Sequence, residues 1–122
     1  MTFRQHTVDS YEIVYSSDRF AANEAPLICL VTCFENVSGT ATQLAGRLAF
    51  FEDTFNLPTN QLLPAVVGGP AEPHINFHLR ELNDVLTILR EEKPLQITLD
   101  TDRGLGTLRT KEKEPVGEQE GV

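Results

Sequence analysis

Tryptophan is absent from this chain of 122 residues, methionine occurs once, cysteine twice, and ten Lys and Arg stand against eighteen Asp and Glu. The shortage of cations leaves a formal charge of −8. That balance excludes nucleic acid and anionic membranes as main partners, because such binding rests on Lys and Arg displacing counterions from a polyanion. Arg4, Arg19, Arg47 and Arg80 are scattered singly and form no stripe that would track a phosphate backbone. Long apolar runs are missing too. The longest, residues 26–34, holds nine residues broken by a threonine, against about 20 for a membrane helix. The opening MTFRQHTVDS has neither the basic start nor the apolar centre of a secretory leader.

The two cysteines, Cys29 and Cys33, both lie in that apolar run. On a strand they would sit about 13 Å apart, at roughly 3.3 Å per residue, whereas a disulfide needs less than about 7 Å. They read as reduced, buried thiols, which sets the expectation of a cytoplasmic protein. Asn36-Val37-Ser38 matches a glycosylation sequon, which has no consequence in that compartment.

What is present is 40% apolar and 7% aromatic residues, enough for one domain that buries roughly two-thirds of its unfolded surface without disulfide or metal. Residues 1–10 read as an irregular lead-in. Residues 11–16 alternate Tyr11, Ile13 and Tyr15 against Glu12, Val14 and Ser16, the period of a half-buried strand. The run from Leu27 is bulky on both faces, which predicts a central strand covered on two sides. Residues 36–43 read as a hairpin connection, and residues 44–53 as a third strand in which Gly46 marks a bulge or a close backbone approach. Residues 54–64, with Pro58 and Pro64, read as an irregular loop, and residues 65–67 as a brief strand before Gly68-Gly69-Pro70.

After that loop the period changes. Leu79, Leu82, Leu86 and Leu89 recur at intervals of 3, 4 and 3 with Val85 beside them, predicting an amphipathic helix over about residues 77–92. Asn76 could cap it, Pro73 could open it a turn earlier, and Pro94 must end it. Leu95, Ile97 and Leu99 then alternate with polar residues, and Asp102 to Gly104 supply turn chemistry for a hairpin back along residues 105–110. Residues 111–122 are nearly devoid of apolar side chains and carry −2 of the charge, so the rest still holds −6. The expected fold is α+β: a mainly antiparallel twisted sheet or partly open barrel, one helix and a C-terminal β-hairpin, with one domain over residues 1–110 and a solvated acidic tail over 111–122.

Few residues suggest chemistry. His74 and His78 are spaced i, i+4 with Glu81 beyond; on a helix opened at Pro73 they would present two imidazoles and a carboxylate to a transition metal. No HExxH motif surrounds them, and as flanking residues at a helix entry they need no metal. DTDRG at residues 100–104 resembles a calcium loop, but Leu105 and Lys111 stand where that loop needs Gly and Glu. Ser16, Ser17 and Asp18 lack a nucleophile elbow, Cys33 sits in an apolar strand with no cation beside it, and Gly68-Gly69-Pro70 is no phosphate loop. No catalytic residue and no cofactor are therefore expected.

More two-faced apolar strand is present than one helix can cover, so a second sheet, barrel closure or a partner has to cover the rest. The expectation is a small non-enzymatic interaction protein, self-associating as a homodimer or a subunit of a larger assembly. The alternatives are a barrel closed around a small apolar ligand and, third, a metal-dependent enzyme using His74 and His78.

Overall fold

The computed structural model describes residues 3–15, 27–39, 41–64, 68–92 and 94–110. Ser16, Phe20 and the 65–67 segment, together with the acidic tail from Lys111, lie outside the described residues. Among the described residues, eight strands and one short helix make an α+β fold: β1 (Phe3–Val8), β2 (Ser10–Tyr15), β3 (Leu27–Ser38), β4 (Ala41–Phe51), β5 (Gln61–Pro64), β6 (Ala71–His78), α1 (Leu82–Glu91), β7 (Leu95–Asp100) and β8 (Leu105–Thr110). Two sheets form, a three-stranded one ordered β1-β7-β8 and a five-stranded one ordered β2-β3-β4-β6-β5.

Against the expectation of a mainly antiparallel sheet, the five-stranded sheet is mixed: its other pairs are antiparallel, but β4 and β6 run parallel, Arg47 opposite His74 and Leu48 opposite Ile75. The chain between them folds back as β5, antiparallel to β6, where the prolines had suggested an irregular loop. Residues 3–8, expected to be irregular, form β1 and pair with β7 from Phe3↔Asp100 to Val8↔Leu95. Pattern concealed this strand. Its inward positions are Arg4, His6 and Val8, so burial does not produce an apolar alternation.

The core lies between the sheets. From the five-stranded sheet come Val31, Leu48 and Ile75, in register across β3, β4 and β6, and from the other come Ile97 and Leu99, all essentially without solvent exposure. Two glycines let the layers touch. A methyl group at Gly46 would lie 2.7 Å from Ile97 Cδ1 and 3.0 Å from the Pro73 carbonyl oxygen, and one at Gly106 would lie 2.5 Å from Ile75 Cγ1. At Gly46 the β3–β4 ladder also slips, Cys33 facing Gly46 and Phe34 facing Leu44, so close approach and bulge coincide. Cys29 and Cys33 are buried and unbridged.

The helix begins later than its leucine stripe suggested. Pro73, Asn76 and His78 belong to β6, a 3-10 turn spans Leu79–Glu81, and only Leu82–Glu91 is α-helical. The Glu81 carboxylate fixes the start by accepting from the His78 backbone N–H at 2.9 Å, as the third residue of a capping box does. Val85, Leu86 and Leu89 face the core, with Leu95 and Val8 in the same cluster, so α1 covers one end of the two-layer structure.

Between β1 and β2 a single residue, Asp9, carries the chain from one sheet to the other. Its N–H donates to the Phe34 carbonyl at 2.8 Å, and its carboxylate accepts from the Asn36 N–H at 2.8 Å.

Candidate functional site

Three features concentrate unusual polarity or exposure. The first is a charged clasp between the sheets. Side chains on alternate residues of β1 point into the core face, which delivers His6 beside Ile97 of β7 and toward β3 and β6. His6 Nδ1 lies 2.9 Å from Glu35 Oε1, and His6 Nε2 lies 2.6 Å from Glu72 Oε1. Glu35 also accepts from the Thr7 backbone N–H and from Gln43 Nε2, both at 3.2 Å. Arg4 Nη1 stands 3.8 Å from Glu72 Oε1. Partial burial pushes the Glu35 carboxyl up, but the hydrogen bonds from His6, Gln43 and Thr7, with the His6 charge, outweigh this and hold it below the usual glutamate range.

Both imidazole nitrogens lie within hydrogen-bond distance of a carboxylate. Chemically the arrangement is an ionic tie of β1 to β3 and β6. Nothing in the sequence announces it, since His6 is 29 positions from Glu35 and 66 from Glu72.

The second feature involves the residues singled out for metal binding. His74 and His78 lie on β6, where four residues of extended chain separate them by about 13 Å, and Glu81 belongs to the following 3-10 turn. The helical face that would have gathered these three side chains does not exist. His78 Nε2–H donates to the Phe55 carbonyl at 2.9 Å. His74 stands beside Arg47 in the β4–β6 register, and burial together with the Arg47 charge, opposed in part by Asn76, lowers it to about 4. Arg47 Nη2 donates weakly to the carbonyls of Leu63 and Pro64, at 3.4 and 3.3 Å. Among the described residues, no group of three or more His, Cys, Asp or Glu side chains is arranged to hold a metal ion.

The third feature is the outer strand of the five-stranded sheet. β2 pairs with β3 from Ser10↔Phe34 to Tyr15↔Cys29, and among the described strands none lies on its other side. Ile13, Val14 and Tyr15 are 39%, 49% and 59% exposed. Beside its N-terminal end opens a groove of about 430 Å³. Val8, Tyr11, Leu89 and Leu95 line one part of the groove, and Asp9, Ser10, Arg90 and Glu92 the rest, two carboxylates against one cation. A second exposed apolar pair, Phe3 and Leu105, flanks Asp100 on the three-stranded sheet.

Among the described residues no helix is long and apolar enough to cross a membrane. Comparison with protein-family models, curated proteins and solved structures returns no match.

Proposed function

We propose that this chain is a small, non-enzymatic interaction protein of the cytoplasm, self-associating or serving as a subunit of a larger assembly, which engages its partner through the free edge of β2. The observation that carries the reading is an edge strand with three consecutive exposed apolar side chains. Soluble proteins blunt such edges with charge, proline or a covering segment, and strand addition to an open edge is a recurring mode of recognition. Two free, buried cysteines support a reducing compartment. The sheet contacts at Gly46 and Gly106 leave no space there for a ligand between the layers, which weighs against an apolar-ligand barrel.

Photo-crosslinking tests this directly. A photoreactive amino acid at position 14, on β2, should yield a discrete adduct in the native cell, and the same group at exposed Gln5 on β1 should not. Absence of any adduct specific to position 14 would discard the reading.

A further inference from the structure

We infer that the outer face of the five-stranded sheet binds the oxyanionic group of a small molecule, held by Arg47 with His74 beside it.

Register builds the site. Across the five strands Glu12 stands opposite Thr32, Thr32 opposite Arg47, Arg47 opposite His74, and His74 opposite Gln61. Directly opposed residues share a face, and this row faces away from the core, which takes Val31, Leu48 and Ile75 from the adjacent positions. One row of the sheet is therefore polar across all five strands, with four donor-bearing side chains in succession from Thr32 to Gln61. The next row on the same face, Val14, Leu30, Ala49 and Asn76, is apolar except for its last member.

Arg47 is the member of the row whose bonding the protein leaves incomplete. Its half-buried guanidinium donates from Nη2 to the Leu63 and Pro64 carbonyls at 3.4 and 3.3 Å, both long, and its Nε–H is buried without a partner. Among the described residues no carboxylate pairs with it. Glu12, the acid of its row, is two strands away, about 10 Å at roughly 4.8 Å per strand. A cation withdrawn from water without a counter-charge is costly. An oxyanion supplies the forked, charged acceptor that two backbone carbonyls do not.

A second observation lies beside the first. His74 Nδ1 is also buried and unpaired. Asn76 is 8% exposed, and its Nδ2 donates to the Pro58 and Thr59 carbonyls at 3.1 and 3.3 Å, which fixes the amide and leaves Oδ1 unpaired on the side of the imidazole. Buried polar atoms without partners are rare and each asks for a cause. Among the described residues these atoms of Arg47, His74 and Asn76 gather in two adjacent rows of β4 and β6. One cation defines the ligand class as a single anionic group, because a polyanion needs a stripe of them.

Binding is coupled to a proton. The Arg47 charge helps keep His74 neutral down to about 4, and an anion on Arg47 offsets that charge and accepts from the protonated ring. Affinity should therefore rise as pH falls. Of the other acids on these strands, Glu72 is engaged by His6, and Glu12 stays at the far end of the row.

Nitrogen-15 NMR of the Arg47 Nε–H and the His74 ring reads the site during titration with sodium sulfate or sodium acetate, sodium chloride holding the ionic strength. At least one oxyanion should move both signals to saturation, acetate alone marking a planar carboxylate site and sulfate alone a tetrahedral one. Chloride should not. Arg47→Lys keeps the charge but loses the fork, and should bind about tenfold more weakly. Arg80→Gln should bind as wild type does, and His74→Gln should lose the gain seen between about pH 7.5 and about pH 5.5. Shifts that grow linearly with all three salts overturn the site, as does wild-type affinity in Arg47→Lys or an acid gain that survives in His74→Gln. Should Arg47→Lys not fold, saturation of the wild-type signals and the His74→Gln profile decide.

Discussion

His6 Nε2 lies 2.6 Å from Glu72 Oε1 across 66 positions of chain, joining the first strand of one sheet to β6, an inner strand of the other. Glu72 is only 7% exposed, and removing its partner leaves a buried carboxylate that the 3.8 Å contact with Arg4 cannot fully satisfy. His6→Ala should therefore destabilise the fold by on the order of 2–4 kcal/mol. Gln5→Ala, on the exposed side of the same strand, should stay within about 0.5 kcal/mol. Urea unfolding of the two variants checks the difference.

Glu35 gives the clasp a pH dependence. Its folded value lies below that of the unfolded chain, so the ionised carboxylate contributes its full stabilisation above the ordinary value of 4.5 and loses it as pH falls through the depressed one. Glu35→Gln should be less stable than wild type at neutral pH, and the gap should close on acidification below 4.5. Unfolding free energies of the pair across that range provide the measurement.

His74 acts in a different window. The folded protein holds it neutral down to about 4, whereas the unfolded chain takes up the proton near 6.5. Acid thus favours unfolding progressively from 6.5 to about 4, and nothing is lost at this site above that range. His74→Gln should flatten the stability profile between those limits. An unchanged slope in thermal melts across the interval would contradict this.

Gly46 has no room for a side chain. The added methyl of Gly46→Ala meets Ile97 Cδ1 at 2.7 Å, and overpacking of this kind costs about 1–3 kcal/mol. Ile97→Val removes that carbon, so the double variant should be more stable than the two single losses predict. Part of the cost should persist, because the Pro73 carbonyl oxygen stays at 3.0 Å.

Burial pushes the Cys33 thiol up to about 12 and raises Cys29 as well. Neither should react with a thiol reagent in the native protein at mildly alkaline pH, and both should react after denaturation. Titration with a chromogenic disulfide would count them.

These features differ in how far the sequence discloses them. The run from Leu27 discloses an inner strand because its bulk has a direct packing cause, and β3 lies between β2 and β4, but only the face of Cys29, Val31 and Cys33 is fully buried, while Ile28, Leu30 and Phe34 on the other face are half-buried. Gly46 in an apolar strand signals close approach for the same kind of reason. The helix start is obscured because Phe77 and Leu79 suit either the end of a strand or the beginning of a helical stripe, and the bond from the His78 N–H to the Glu81 carboxylate decides between them. β1 carries no apolar rhythm because its inward side chains are mostly polar. The clasp itself depends on pairing between distant strands, so no spacing along the chain encodes it.

Asp9 makes β1 and β2 one continuous ribbon shared by two sheets, with no slack between Val8 and Ser10. The alternation of side chains along that ribbon links Tyr11 on β2 to His6 inside the clasp, an odd number of residues apart and on successive strands. Inserting one residue at Asp9 would leave each strand free to keep its own ladder but would abolish the connection between their positions. A tensile load applied along β2 is carried through Asp9, whose two hydrogen bonds to β3 act as its anchor, before it reaches the buried ion pairs. The edge that meets the outside and the charges that join the layers are in this sense one mechanical element.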